Sequence, residues 1–297
     1  MTRSGDDMRQ FWDHLRSLAE ELPDQNAGFF GPNSIQWMVS RERLLLLGGM
    51  RALLLQIAHP KVAQGVADHS NFRADPLGRG KRTFDIVYAM VFGTAETAIR
   101  AAARMRAVHI RVQGRLSDPV PALADPCYDA HDPELMTWVY ATLVDSSIVA
   151  YDLFFPALGH DRWEQFYQES KLFARLCGID ESALPPSLDD LRRWMDALIA
   201  REVVTITPTA RAVMRALFYG SPLSLISAPL NYMLAAGMLP PRIRQAYGLR
   251  WNWPVSVAFA GMVRAVRAVA GCLPERLRLD PHALQAEQRC RRLTALQ

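Results

Sequence analysis

The chain has 297 residues, half of them hydrophobic and 22% charged, a balance that suits a globular protein with a sizeable core and excludes a disordered one. Its net charge of +4 rests almost wholly on arginine: there are three lysines (Lys61, Lys81, Lys171), no long Lys/Arg block and no basic strip interleaved with aromatics, so a nucleic-acid partner is not expected. Cys127, Cys177, Cys272 and Cys290 are widely spaced, without a CxxC pair, and read as free thiols.

The opening segment, Met1-Thr2-Arg3-Ser4-Gly5-Asp6-Asp7, has no apolar stretch of the secretory type, which points to a cytoplasmic protein. A first amphipathic helix is expected over 8–21, ended by Pro23, and then a loop over 24–34 with Gly28, Gly31 and Pro32. The main body starts at 35–39. An apolar helix over 41–58 stops at His59-Pro60, where His59 suits the closing carbonyls, and a short helix continues over 61–68. Residues 70–82, with Asp75-Pro76, Gly78 and Gly80, read as a polar loop, and Thr83 as the cap of a helix over 84–92. Thr94 caps a helix ending near Gln113, with Gly114 just past its end. Asp132-Pro133-Glu134 combines an N-cap, a proline at the first helical position and an acid, and starts a helix reaching about Phe155. Further helices are expected over 161–177, 187–202, 209–219, 223–238, 242–247, 255–272 and 282–296. No alternating strand pattern with hairpin signals is visible, so the expected fold class is all-α, in one domain with a C-terminal helical extension.

Two segments are apolar enough to test as membrane spans. Residues 44–58 contain Arg51 and Gln56 and fall short of the ~20 residues a span needs. Residues 221–240 are uncharged but hold Pro222, Pro229 and Gly237. Both are expected as core helices, with a peripheral membrane contact as the alternative.

Common catalytic motifs fail. Gly78-Arg79-Gly80-Lys81-Arg82-Thr83 lacks the first glycine of a phosphate loop and has Arg82 where Ser or Thr should follow the lysine. There is no GxSxG, HExxH or complete GxGxxG. The seven histidines (His14, His59, His69, His109, His131, His160, His282) never stand three or four apart, which excludes a multi-histidine site on one helix but not one built from several helices.

His109 lies on the stripe Ala98, Ala102, Met105, His109, Val112, opposite Arg100, Arg104 and Arg111. It therefore points inward beside small residues that leave room for a flat apolar group. It reads either as a haem ligand or as a core histidine bonded to a carbonyl. Arg79, Arg82 and Thr83 make a positive corner for propionates, a substrate carboxylate or a developing oxyanion, or else a solvated loop with a capping threonine. His69 precedes that segment and could face the same pocket. Trp138 and Asp145 share one face of their helix, the first for packing and the second in need of an arginine partner.

Several short pieces occur in a telling order: Phe30-Gly31-Pro32-Asn33-Ser34 with Trp37, Leu54-Leu55-Gln56 with His59-Pro60, and Val66-Ala67-Asp68-His69-Ser70. Then come Asp75-Pro76, Arg79 with Arg82-Thr83, Val91-Phe92-Gly93, His109 with Val112 and Gly114, Asp132-Pro133-Glu134 with Trp138 and Leu143-Val144-Asp145, and Leu239-Pro240-Pro241 with Tyr247-Gly248-Leu249. In this order the chain resembles the MpaB and latex-clearing rubber-oxygenase family from about Phe29 to Leu249. The resemblance implies an all-α, globin-like fold, with an N-terminal helix and loop at 1–28, an oxygenase-like domain at 29–250 and a C-terminal extension at 251–297. It implies haem b with its iron on His109 as the proximal ligand, and Arg79, Arg82 and Thr83 on the distal side; His69 joins them as a cofactor contact on its place in the chain alone. Rubber oxygenases carry a lysine where this chain has Arg82. Arginine stays protonated and is a poor ligand, so the resemblance implies an open distal side here. The family's distal glutamate base has no counterpart in 44–68, which sets rubber cleavage itself aside. The resulting expectation is a haem-dependent oxygenase using dioxygen on a small apolar, isoprenoid- or acyl-like substrate, with a redox partner that the sequence does not identify. The alternative is a non-catalytic helical protein that carries haem or lipid in the same pocket.

Overall fold

Ser34, Thr94, Asp132, Ser187, Thr207, Ser221, Asn252 and Asp280 each set a side-chain oxygen against a backbone N–H in the first turn of a helix. Such caps satisfy donors that the helix itself leaves unpaired, so helix starts are written locally in the chain. The computed structural model describes residues 3–70 and 76–295, with the side chains at 3, 4, 76, 77, 79 and 294 outside that description.

In chain order the helices are α1 (Arg3–Glu20), α2 (Ile35–Ser40), α3 (Gly49–Gln56), α4 (Pro60–His69), α5 (Pro76–Phe92) and α6 (Ala95–His109). Two three-residue strands follow, β1 (Gln113–Arg115) and β2 (Cys127–Asp129). The chain continues with α7 (Pro133–Phe154), α8 (His160–Leu176), α9 (Leu188–Ala200), α10 (Pro208–Tyr219), α11 (Pro222–Met238), α12 (Pro241–Ala246), α13 (Trp253–Cys272), α14 (Glu275–Arg278) and α15 (Pro281–Thr294). The fold is all-α, and among the described residues the antiparallel pair β1–β2 is the whole of its sheet structure.

Two apolar clusters organise the helices. The larger surrounds α7, whose Trp138, Val144, Ile148 and Phe154 pack with Leu54 and Leu55 of α3 and residues of α8 to α11. Trp138 is fully buried and donates its Nε1–H to the Leu55 carbonyl (3.1 Å), so it is a packing residue, as its face suggests. Asp145 finds the arginine it needs: Arg51 reaches it at 2.5 Å and also donates to Ser146 and to the Met238 carbonyl. The smaller cluster joins Leu15 and Leu18 of α1 to Val91 and Phe92 of α5, Ala98 and Ala102 of α6, and Ala283 and Ala286 of α15. Each large apolar side chain buried in this way contributes roughly 1.5–3 kcal/mol.

Four expectations are corrected. The helix expected over 41–58 is split into a 3-10 stretch, Arg43–Gly48, and α3. Gly48 crosses α7 so closely that a Cβ there would stand 2.8 Å from the Ala150 Cβ, and two adjacent glycines are weak helix formers. The loop expected over 70–82 is helical from Pro76, so Thr83 lies inside α5 and is not its cap; proline at the first helical position is the overlooked start signal. The helix after Thr94 ends at His109, not Gln113. Gly114 stands in β1, where a Cβ would meet the Tyr128 hydroxyl at 2.5 Å, and only glycine lets the two strands close. Finally, His59 caps the helix after it, its Nδ1 accepting from the Lys61 N–H, and not the helix before it.

Candidate functional site at the open end of the α5–α6 hairpin

Only Gly93 and Thr94 separate α5 from α6, so the two helices fold back on each other and pack along their length. The turn is held from outside. Gln25 accepts from the Ala95 N–H at 2.8 Å, and Gly28, at φ +92°, lies where a Cβ would be 2.1 Å from the Gly93 carbonyl. Antiparallel packing carries the first turns of α5 and the last turn of α6 to the same end. Arg79, Arg82 and Thr83, spaced i, i+3, i+4, share one face of α5 there. Arg82 and Thr83 are exposed, and the Arg79 side chain lies outside the described residues.

His109 is the last residue of α6 and is half-buried. Burial, helped by the neighbouring His131 and the Arg106 charge, pushes its imidazole down to about 4. The ring is therefore neutral across the physiological range, the form in which imidazole can donate a lone pair to a metal. His131 stands beside it, ring centroids 6.5 Å apart at 65°. Burial lowers His131 as well, and its Nε2 is enclosed without a hydrogen-bond partner among the described residues. One turn earlier on α6, Arg106 is bound by Asp7 of α1 (2.5 and 3.1 Å) and lies over the Phe11 ring. That pairing fixes Arg106 against α1, from where its charge acts on His109.

His131 and the Asp7–Arg106 pair were not singled out from sequence. His131 belongs to no periodic stripe: it sits in the turn before α7, its N–H given to Asp129. Asp7 is 99 residues from Arg106, and only the fold brings them together. The alanine stripe of α6 also behaves differently from expectation. Ala98 and Ala102 are fully buried against α1 and α5, so their small size lets helices approach and leaves no slot at their level.

The other sequence candidates are placed as follows. His69 is exposed at the end of α4, its Nε2 within 3.2 Å of the Gln113 carbonyl and 3.1 Å of the Tyr128 hydroxyl. Tyr128 in turn donates to Asp68 at 2.7 Å, so this network fastens α4 to the β-hairpin that follows His109. His59 is buried, and desolvation pushes it down to about 4. Among the described residues no three His, Cys, Asp or Glu side chains gather into a cluster able to hold a metal by themselves. Two cavities stand out elsewhere. One of about 460 Å3 lies among α10, α11 and α13, and one of about 430 Å3 is lined by Lys61, Asp125, Glu134, Trp194 and Arg201. His109 lines neither.

Residues 36–268 match the family described as ER-bound oxygenase mpaB/B'/rubber oxygenase, catalytic domain. Uncharacterized proteins of Mycobacterium bovis and Mycobacterium tuberculosis are each 23% identical over 232 residues, covering 75% of this chain and 88% of theirs. No solved structure matches the chain. The match spans well over half the sequence, from α2 to within α13, and the chain belongs to the mpaB/rubber oxygenase catalytic-domain family.

Proposed function

We propose that the protein is a haem b-dependent oxygenase, with His109 as the proximal ligand and a small apolar, isoprenoid- or acyl-like molecule as substrate. The observation that carries the reading is the state of His109: an imidazole held neutral by burial, at the end of a helix, to whose ring no hydrogen bond from the described residues is made. A haem iron asks of the protein one such donor. When bound, the haem supplies the oxidative chemistry with dioxygen and electrons from a redox partner.

The chain's own residues do the rest. His131 lies beside the ligand ring, and its enclosed nitrogen is an available partner for orienting it. Asp7 holds Arg106 against α1 and so fixes the position of a charge that keeps His109 neutral. On α5, the spacing of Arg79, Arg82 and Thr83 puts them on one helix face, a residue set of the kind that holds a carboxylate or steadies negative charge developing in a reaction. A guanidinium has no lone pair to offer, so Arg82 is not a ligand for iron.

Reconstitution with hemin tests the reading. The expected result is a stoichiometric Soret band that shifts on dithionite reduction and again with carbon monoxide. His109→Ala should lose that band, while His69→Ala and His59→Asn keep it. A spectrum no different from a non-specific hemin-binding control would remove the haem reading. A normal band in His109→Ala would remove the ligand assignment. A haem complex with no turnover on isoprenoid or acyl substrates would leave a non-catalytic carrier.

A further inference from the structure

The stretch between Glu202 and Glu275 contains seven arginines and not one aspartate or glutamate, where the chain's average would place about seven acids. It forms α10 to α13, and its outward surface is apolar. The first half of α11 exposes Leu223, Leu225, Ile226 (78% exposed) and Leu230, so its solvent side is the hydrophobic one. Along α13 the stripe Trp253, Val257, Gly261, Arg264, Ala268, Cys272 is exposed, with Trp253 at 77%. These two faces meet in one groove, the 460 Å3 cavity, where Leu225 and Pro229 face Val255 and Ala258 beneath Tyr219. Soluble monomers rarely expose a continuous apolar surface of this kind without a use for it.

α13 is long and apolar enough to cross a membrane by length and composition. Its contacts say that it lies flat. Phe259 packs into the space left by Gly237 of α11, and the Arg267 guanidinium donates to the Leu153 and Asp152 carbonyls at the end of α7. A helix pinned along its length to the body cannot thread a bilayer, but it can sink one face into the headgroup region.

We propose that the α11–α13 face is a docking surface for anionic lipid bilayers. Ile226, Leu223, Leu225 and Trp253 enter the boundary of headgroups and acyl chains, and the exposed Arg215, Arg242, Arg250 and Arg264 meet lipid phosphates. Charge selects this occupant over a second copy of the chain: self-association through the face would press two arginine-bearing, acid-free surfaces together, whereas an anionic membrane supplies the missing negative charge. The groove then opens where an apolar molecule could pass between bilayer and protein. None of the residues of this surface belongs to the haem reading, so the proposal stands independently of it.

Vesicle flotation tests it with the full chain. Vesicles of phosphatidylcholine containing about a third phosphatidylglycerol should float the protein, pure phosphatidylcholine far less, and added salt should weaken binding. Arg264→Ser should lower the partition coefficient about fivefold, the amount expected for one surface cation. Ile226→Glu combined with Trp253→Glu should lower it more than tenfold with unchanged far-UV dichroism, since both side chains are exposed. No flotation on anionic vesicles overturns the proposal, as does equal flotation of the double variant. A concentration-dependent dimer that Ile226→Glu dissociates, without vesicle binding by the parent, would assign the face to self-association instead.

Discussion

His59 and His109 are the two imidazoles that burial pushes down to about 4, and both shifts carry a cost in acid. Unfolded, each binds a proton near 6.5; folded, each binds one only near 4. Between those values the unfolded chain holds more protons, so stability rises with pH across the window and falls as pH drops through it. His59, almost fully buried, contributes roughly 3 kcal/mol to that slope. His59→Asn keeps an oxygen where Nδ1 caps α4 but cannot titrate, so urea midpoints measured between pH 4.5 and 7 should vary less in this variant than in the parent. At this scale the sequence was partly legible. The inward face of His109 and the arginine partner of Asp145 followed from helical periodicity. His131 did not, because a residue in a turn carries no period, and its place beside His109 depends on where α7 begins relative to the end of α6.

Where two helices touch, single atoms decide whether they can. A Cβ at Gly237 of α11 would stand 2.3 Å from the Phe259 ring of α13. Gly237→Ala should therefore force that ring aside and cost about 1–3 kcal/mol. Pairing it with Phe259→Leu should recover part of the loss, which a double-mutant cycle by chemical denaturation would measure as a coupling between the sites. The Arg51–Asp145 pair ties α3 to α7 in the same way but through charge. Arg51→Leu leaves a carboxylate with only Arg192, 3.9 Å away, and should destabilise by about 3 kcal/mol, while Arg51→Leu with Asp145→Leu should be milder than the single change. Helices that start at a side-chain cap were readable because that signal is local. The β1–β2 pair was not: three residues are too short for an alternation, and its closure rests on Gly114 meeting Tyr128 across the hairpin. The early start of α5 was missed because its glycines suggested a loop, and Pro76 outweighed them.

At the scale of the whole fold, α15 closes one side of the helical body. α15 packs on α5, with His282 against the Tyr88 ring, while Arg41 holds Glu287 and the Arg41 carbonyl accepts from the Asp280 N–H. α15 thereby completes the smaller core. Deleting residues 275–297 would uncover Leu279, Ala283 and Ala286 contacts worth about 3 kcal/mol, a drop of roughly 6–12 °C in Tm by calorimetry, with dye binding to the exposed cluster. The all-α class was legible from hydrophobic periodicity and caps. The outward apolar face of α11 was not, since an uncharged helix reads the same whether it lies in a core or on a surface.

Arg289 gives this closure an order in time. Its guanidinium reaches the carbonyls of Asn26, Ala27 and Phe92, the last 197 residues earlier in the chain, and so joins the first loop and the α5–α6 turn with a residue made long after both. While the protein is still being synthesised, that corner has no latch and one flank of α5 has no cover. A nascent chain thus presents the hairpin in a looser state than the finished molecule does. Between the emergence of α6 and that of α15, the flank of α5 that α15 covers in the folded molecule stays open.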